Sequence, residues 1–208
     1  MHVVFDMDGV LLDAQADPAW LDRALDATLE AFDLEPTPER RELLHPKNLR
    51  DFERAATSLG VSPADLWSVR HRNYVREKDA AIRAGAIGPF PDVEEVCALS
   101  REYPVSIISN SPESIVETFL EAADLGDVVQ HAIGRGESMD AIERMKPDPA
   151  FYEELDRRAG DARYVYVGDA ASDALFAQRT GMAFVHLDRE VGEATSLAEA
   201  ADRIRVLD

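Results

Sequence analysis

The sequence contains little cysteine and no long apolar run. Of its 208 residues only Cys97 is a cysteine, so the chain cannot form an internal disulfide, and no cysteine–histidine group has the spacing of a zinc site. No stretch approaches the ~18 uncharged apolar residues of a membrane helix, and the first residues lack the positive charge and unbroken apolar run of a signal peptide. These absences predict a soluble cytoplasmic protein with no membrane partner.

Positive charge is scarce as well. Acidic residues number 41 against 22 lysines and arginines, which gives a formal net charge of −19. Such a surface repels nucleic acid and anionic membranes, so we expect neither as a partner. The acids are scattered along the chain, and self-repulsion of this size is best tolerated where salt screens it. We interpret the composition as halophilic, against the alternative of a merely acidic protein from a low-salt habitat.

Apolar residues make up 46% of the chain, which is enough for a buried core. Short runs rich in valine and isoleucine alternate with helix-like segments along most of the sequence. Such alternation predicts an α/β fold, a Rossmann-like parallel sheet with helices on both faces. The predicted strands are 2–5, 104–108, 128–133, 164–167 and 183–187.

The interval between the first two predicted strands is far longer than one crossover helix requires. It has helical periodicity throughout, and aspartate–proline and serine–proline pairs at 17–18 and 62–63 are typical of helix starts. We therefore predict an all-helical cap inserted into the core, with the return hinge in the GPFP segment. The predicted boundaries are 1–13 and 89–208 for the Rossmann-like catalytic core and 14–88 for the cap.

Polar residues follow three of the predicted strands, and a lysine precedes a later helix. Ligands of open α/β sheets bind beyond the carboxyl ends of the strands, so we expect these side chains in one cleft. Carboxylates form a hard oxygen site suited to Mg²⁺, whereas a serine hydroxyl, backbone amides and an ammonium group can hold a phosphate. The residues are Asp6, Asp8, Ser109, Asn110, Lys146, Asp169 and Asp173.

Four motifs carry a family resemblance. FDMDGVLLD, IISNS, MKPDP and VGDAASD occur in this order, each at the end of a predicted strand or the start of a predicted helix. On these motifs the chain resembles, over residues 2–187, the haloacid dehalogenase superfamily in its phosphatase branch with a helical cap, which includes phosphoglycolate phosphatases and β-phosphoglucomutases. The resemblance implies a Mg²⁺-dependent enzyme acting on a small phosphorylated metabolite, as a monomer or homodimer.

The resemblance also implies roles for the acidic residues. Asp6 would be the nucleophile that forms an aspartyl-phosphate, and Asp8 would protonate the leaving oxygen and then activate water. Asp6, the backbone carbonyl of Asp8, and Asp169 would coordinate Mg²⁺, with Asp173 in support. Dehalogenating members of the superfamily are understood to lack the second aspartate, so Asp8 indicates phosphoryl chemistry.

For the phosphoryl group, the resemblance implies binding by Ser109, Asn110 and Lys146. We expect Ser111 to cap the helix that follows it. The predicted cap contains a group of basic residues that we expect mostly on solvated faces, with some reaching an anionic part of the substrate: Lys47, Arg50, Arg54, Arg70, His71, Arg72 and Arg76.

Three functions stay open at this point. The first is a phosphatase, and the second is a phosphoglucomutase-like isomerase that returns the same phosphoryl group to its sugar. The third is a non-catalytic metal-binding or regulatory domain, since one fold supports many functions.

Overall fold

A computed structural model describes residues 1–160 and 162–208 of the protein. Five of its strands form one parallel sheet in the order β5-β4-β1-β6-β7, and β2 and β3 form a separate antiparallel pair. The Rossmann-like fold class is therefore confirmed. The strands of the described residues are β1 (His2–Phe5), β2 (Leu12–Asp13), β3 (Gly88–Pro89), β4 (Val105–Pro112), β5 (His131–Arg135), β6 (Tyr164–Gly168) and β7 (Ala183–His186).

Helices cover both faces of the sheet and fill the interval between β2 and β3. The longest of those described has 21 residues, and none of them is both long and apolar enough to cross a membrane. A short 3₁₀ helix spans Met139–Arg144. The α-helices are α1 (Ala19–Glu30), α2 (Pro38–Leu43), α3 (Leu49–Leu59), α4 (Pro63–Arg83), α5 (Glu95–Leu99), α6 (Glu113–Ala122), α7 (Ala150–Ala159), α8 (Ala171–Thr180) and α9 (Leu197–Leu207).

Burial on both faces explains why the strands are mostly apolar. Val3 and Phe5 pack into the core on one side of β1, whereas Val4 packs into the core on the other side. A strand covered on both faces favours apolar residues at most positions, and the buried polar pair His2 and Ser106 is joined by a 2.8 Å hydrogen bond. Strand β5, predicted to span 128–133, begins only at His131. Val128 lies in the preceding turn, where its N–H donates a hydrogen bond to Leu125 O.

Helices α1–α4, called the cap helices below, pack around a second core that also includes Ile142 of the 3₁₀ helix. Leu29, Phe52 and Trp67 are buried together there, apart from the clusters on the sheet. Ser62 begins α4 as expected, since its hydroxyl accepts a hydrogen bond from Asp65 N. The chain enters and leaves this layer through β2 and β3, which pair side by side. The division at 14–88 remains a prediction.

Candidate active site

The sheet order brings the predicted site residues together. β1 lies between β4 and β6, so the chain segments at the carboxyl ends of these three strands are neighbours. Asp6 directly follows β1, Ser109 lies in the last part of β4, and Asp169 directly follows β6. The last part of β4 is irregular, because its register with β5 shifts between Ile108 and Pro112. Strand topology alone thus places these side chains at one edge of the sheet.

Lys146 lies at the centre of the site. Its Nζ is 2.8 Å from Asp6 Oδ1 and 2.6 Å from Asp173 Oδ1, and it donates a 2.8 Å hydrogen bond to the Tyr166 hydroxyl. Burial lowers the pKa of Lys146, but the carboxylates of Asp6 and Asp173 outweigh burial and raise the pKa above its usual value. Lys146 is therefore a buried ammonium group beside the proposed nucleophile.

Three buried or half-buried carboxylates face this one ammonium. Asp6, Asp169 and Asp173 each present a possible ligand oxygen, and these oxygens lie within 4.8 Å of one another. Burial, with a contribution from Asp173, raises the pKa of Asp6 to about 8 and that of Asp169 to about 6. The cluster is short of positive charge and its donors are hard oxygens, so the residues fit a bound Mg²⁺ ion.

Asp8 is held between the sheet and the cap helices. Its Oδ1 is 2.5 Å from Lys78 Nζ of α4, and its Oδ2 accepts a 2.7 Å hydrogen bond from the Ser111 hydroxyl. Lys78 also donates to Ser111 Oγ at 2.9 Å, and its side chain is 1% exposed. Burial lowers the pKa of Lys78, but the neighbouring Asp8 carboxylate outweighs it and raises the pKa. The second aspartate is thus fixed by an ion pair that joins two layers of the fold.

The expectation that Ser111 caps the following helix is wrong. Helix α6 begins at Glu113 and has no side-chain cap, because Pro112 occupies the N-cap position. The Ser111 hydroxyl bonds instead to Asp8 and Lys78. Its place is therefore beside the proposed acid–base aspartate.

Ser109 and Asn110 support the backbone around the site. Ser109 Oγ accepts a hydrogen bond from Ser111 N at 3.1 Å, and Asn110 Oδ1 accepts one from Lys146 N at 2.8 Å. Asn110 thereby fixes the segment that carries the buried lysine. Gly9 has a φ of 80°, and a Cβ at this position would overlap the Asp169 carboxylate. Glycine is therefore required where the chain turns away from Asp8.

Sequence reasoning missed Lys78 and Tyr166 as neighbours of the site. A signal existed for the lysine, since Arg70, Tyr74 and Lys78 are four residues apart and so share one face of α4. No comparable signal marked Tyr166, whose hydroxyl also donates to Ile108 O. Its contact with Lys146 could be predicted only from the order of the strands in the sheet.

Comparison with solved structures identifies many related folds. A predicted phosphoglycolate phosphatase from Haemophilus somnus is 19% identical, with a TM-score of 0.67 over 100% of this chain and 97% of the other. A HAD phosphatase from Thermococcus onnurineus is 19% identical, with a TM-score of 0.66 over 98% and 97% of the two chains. A protein described as a proposed β-phosphoglucomutase from Thermotoga maritima is 20% identical, with a TM-score of 0.61 over 97% of this chain and 92% of the other. These similarities establish the fold.

Sequence comparison gives the family. No curated protein matches the chain significantly. The family model of the haloacid dehalogenase-like hydrolases matches residues 3–187, which include every predicted site residue. The chain therefore belongs to the haloacid dehalogenase-like hydrolases.

Proposed function

We propose that the protein is a Mg²⁺-dependent phosphatase that hydrolyses small phosphate monoesters through an aspartyl-phosphate on Asp6. Family membership supports hydrolysis in general. The observation that carries the proposal is the difference in hydrogen bonding between the two oxygens of the Asp6 carboxylate. Its Oδ1 is bound by Lys146 and by Met7 N, while Oδ2 has no hydrogen-bond partner among the described residues. One oxygen is thus anchored and the other is available as a nucleophile.

The neighbouring groups support each step of the reaction. Asp6 Oδ2 attacks phosphorus, while Ser109 and Lys146 bind the phosphoryl oxygens. As the ester P–O bond breaks, the leaving oxygen takes a proton from Asp8. Asp8 then removes a proton from a water molecule that attacks the aspartyl-phosphate, which releases phosphate and regenerates Asp6.

Metal binding fits the same scheme. Asp6, Asp169 and the backbone carbonyl of Asp8 would hold Mg²⁺, with Asp173 in support. The bound ion would neutralise negative charge on the phosphoryl group. Both Asp173 oxygens are engaged, one by Lys146 and one by Ala170 N, which favours a supporting role for this residue.

Substitution of the two aspartates tests the proposal. Asp6→Asn should lose turnover of 4-nitrophenyl phosphate and form no phosphoenzyme. Asp8→Asn should lose about 10²–10⁴-fold in the steady-state rate, the usual contribution of general acid–base catalysis. Because a nitrophenolate leaves without protonation, Asp8→Asn should accumulate phosphate on Asp6, seen by mass spectrometry of the tryptic peptide 1–23. Asp13→Asn, a substitution in the same peptide, is the matched control and should behave like wild type.

The outcomes separate the alternatives. Phosphate mapped to another residue, or normal turnover by Asp6→Asn, would contradict the assignment of the nucleophile. If sugar phosphates are isomerised without release of inorganic phosphate, the mutase alternative holds. If no phosphate ester is turned over with Mg²⁺, the non-catalytic alternative holds.

A further inference from the structure

A pocket lies beside the proposed catalytic site, between the cap helices and the sheet. Its volume is about 300 Å³, and Arg70 and Tyr74 of α4 and Asn110 and Arg135 from the sheet contribute to its walls. Asn110 follows the proposed phosphate-binding Ser109 directly. The Tyr74 hydroxyl also lies 3.5 Å from Ser111 Oγ, within the hydrogen-bond network of Asp8. The pocket therefore lies next to the place where the phosphoryl group would bind.

Two buried arginines in this pocket have no anionic partner in the part of the chain that the structure describes. Arg70 is 6% exposed and Arg135 is 3% exposed. Arg70 Nε donates to Leu44 O at 2.5 Å, and Arg135 donates to Asn110 O and Gly136 O. No described carboxylate forms an ion pair with either guanidinium, although acids are nearly twice as numerous as bases in the chain. Buried charges without a counterion are costly to the fold, so they indicate a charge that arrives with a ligand.

Aromatic packing holds the two guanidinium groups in place. The Cζ of Arg135 is 4.7 Å from the centre of the Trp67 ring, and that of Arg70 is 5.6 Å from the same ring. Burial lowers the pKa of Arg70 to about 10, with a smaller contribution from Arg135, so the side chain stays charged at neutral pH. Burial and the charge of Arg135 lower the pKa of the neighbouring His71. The pocket thus has a positive potential within an acidic protein.

We infer that Arg70 and Arg135 bind a second anionic group on the substrate, a carboxylate or a second phosphate, while the ester phosphate is held at Asp6. This rests on the proposed function and narrows it to monoesters that carry two anionic ends. Guanidinium groups donate two parallel hydrogen bonds to either kind of anion. A pocket of this size suits a small molecule rather than a polymer.

Matched pairs of esters test the inference. We would compare 3-phosphoglycerate with glycerol 3-phosphate, and fructose 1,6-bisphosphate with fructose 6-phosphate. In at least one pair the second anion should raise kcat/KM by about 10–100-fold, the effect expected of a hydrogen-bonded charge. The pair that responds identifies the anion as carboxylate or phosphate. Equal kcat/KM values within both pairs would overturn the inference and leave the proposed phosphatase function intact.

Variants locate the effect. Arg70→Gln and Arg135→Gln should remove the preference for the ester that carries the second anionic group. The ester without that group should stay within about threefold of wild type, since it makes no ion pair with these arginines. Arg54→Gln removes an exposed cap arginine, 64% exposed, and should keep the preference. Because neither buried charge has an anionic partner among the described residues, its removal should leave the thermal midpoint unchanged or raise it. A lower midpoint with equal loss for both esters would show that the arginines are structural and would overturn the inference.

A binding measurement covers the case in which no ester is turned over. Malonate and sulfate would be titrated into the wild-type protein while the tryptophan fluorescence is followed, because the ring of Trp67, one of two tryptophans, lies against Arg135. Saturable binding that is lost in Arg135→Gln and kept in Arg54→Gln would support the anion site even if the proposed reaction failed. If no ester is turned over, absence of saturable binding would overturn the inference.

Discussion

The buried Asp6 carboxylate should make the stability of the protein fall as pH rises. Burial raises the pKa of Asp6 from 3.8 to about 8. Between about pH 4 and pH 8 the unfolded chain therefore releases a proton that the folded chain keeps, and unfolding becomes more favourable. A shift of this size corresponds to a loss on the order of 5 kcal/mol in the free energy of unfolding, in the absence of a divalent cation.

Comparison with Asp6→Asn isolates this contribution. Urea unfolding of the two proteins in EDTA would be measured at several values between pH 4.5 and about 8.5, a range that spans most of the interval. The other acidic residues titrate in both proteins, so the difference in unfolding free energy reports mainly on Asp6. Wild type should lose stability relative to the variant as pH rises, and the variant should be the more stable protein at neutral pH. Parallel curves would refute the reasoning.

Mg²⁺ should reverse the loss. An ion bound by Asp6 and Asp169 favours their ionised forms, so the gain in stability on adding Mg²⁺ should increase with pH over the same interval. In Asp6→Asn the gain should be smaller at every pH, whereas in Asp13→Asn it should match wild type. A gain that does not depend on pH would indicate that the ion binds elsewhere.

Three further predictions concern the cap contact, the metal cluster and the surface. Lys78→Met should lower kcat/KM about 10–100-fold, because Asp8 loses a charged hydrogen-bond partner; an unchanged kcat/KM would rule out a positioning role. Gly168→Ala should weaken Mg²⁺ binding in calorimetry, since a Cβ there would overlap the Asp173 side chain, whereas Gly126→Ala, with open space around it, should not. The thermal midpoint should rise between about 0.1 and 2 M KCl as screening relieves repulsion, and a flat midpoint would contradict the halophilic interpretation.

Much of the fold could be predicted because the strands are short, mostly apolar runs, and three of them lead into the polar residues of the site. β1 illustrates this, since four buried residues are followed directly by Asp6. The same property located the site, because parallel strands bring their carboxyl ends to one edge whatever the loops do. The proximity of Asp6 and Asp169 could therefore be predicted without knowing how the side chains pack. It follows from the parallel pairing of β1 with β6.

The contacts of Asp8 could not be predicted in the same way. Lys78 lies 70 residues from Asp8, on a helix whose position depends on how the cap helices pack against the sheet. Ser111 followed by proline has the local pattern of a helix cap, but the ion pair beside it offers stronger partners for the hydroxyl. Arg135 gave no signal, since a basic residue at a strand end is equally typical of a solvated loop. Each of these depends on contacts between layers.

The cap helices are joined to the rest of the chain through the short β2–β3 ladder, so a rotation of the cap helices would pivot there. Helix α4 runs toward this ladder, and Arg70 lies eight residues before Lys78, about 12 Å farther along the axis. A rotation about the ladder therefore displaces Arg70 more than Lys78. If the cap helices rotate in this way, the Arg70–Arg135 pocket widens more than the gap between Lys78 and Asp8, and the order of release would be the second anionic group of a product first and its catalytic end afterwards.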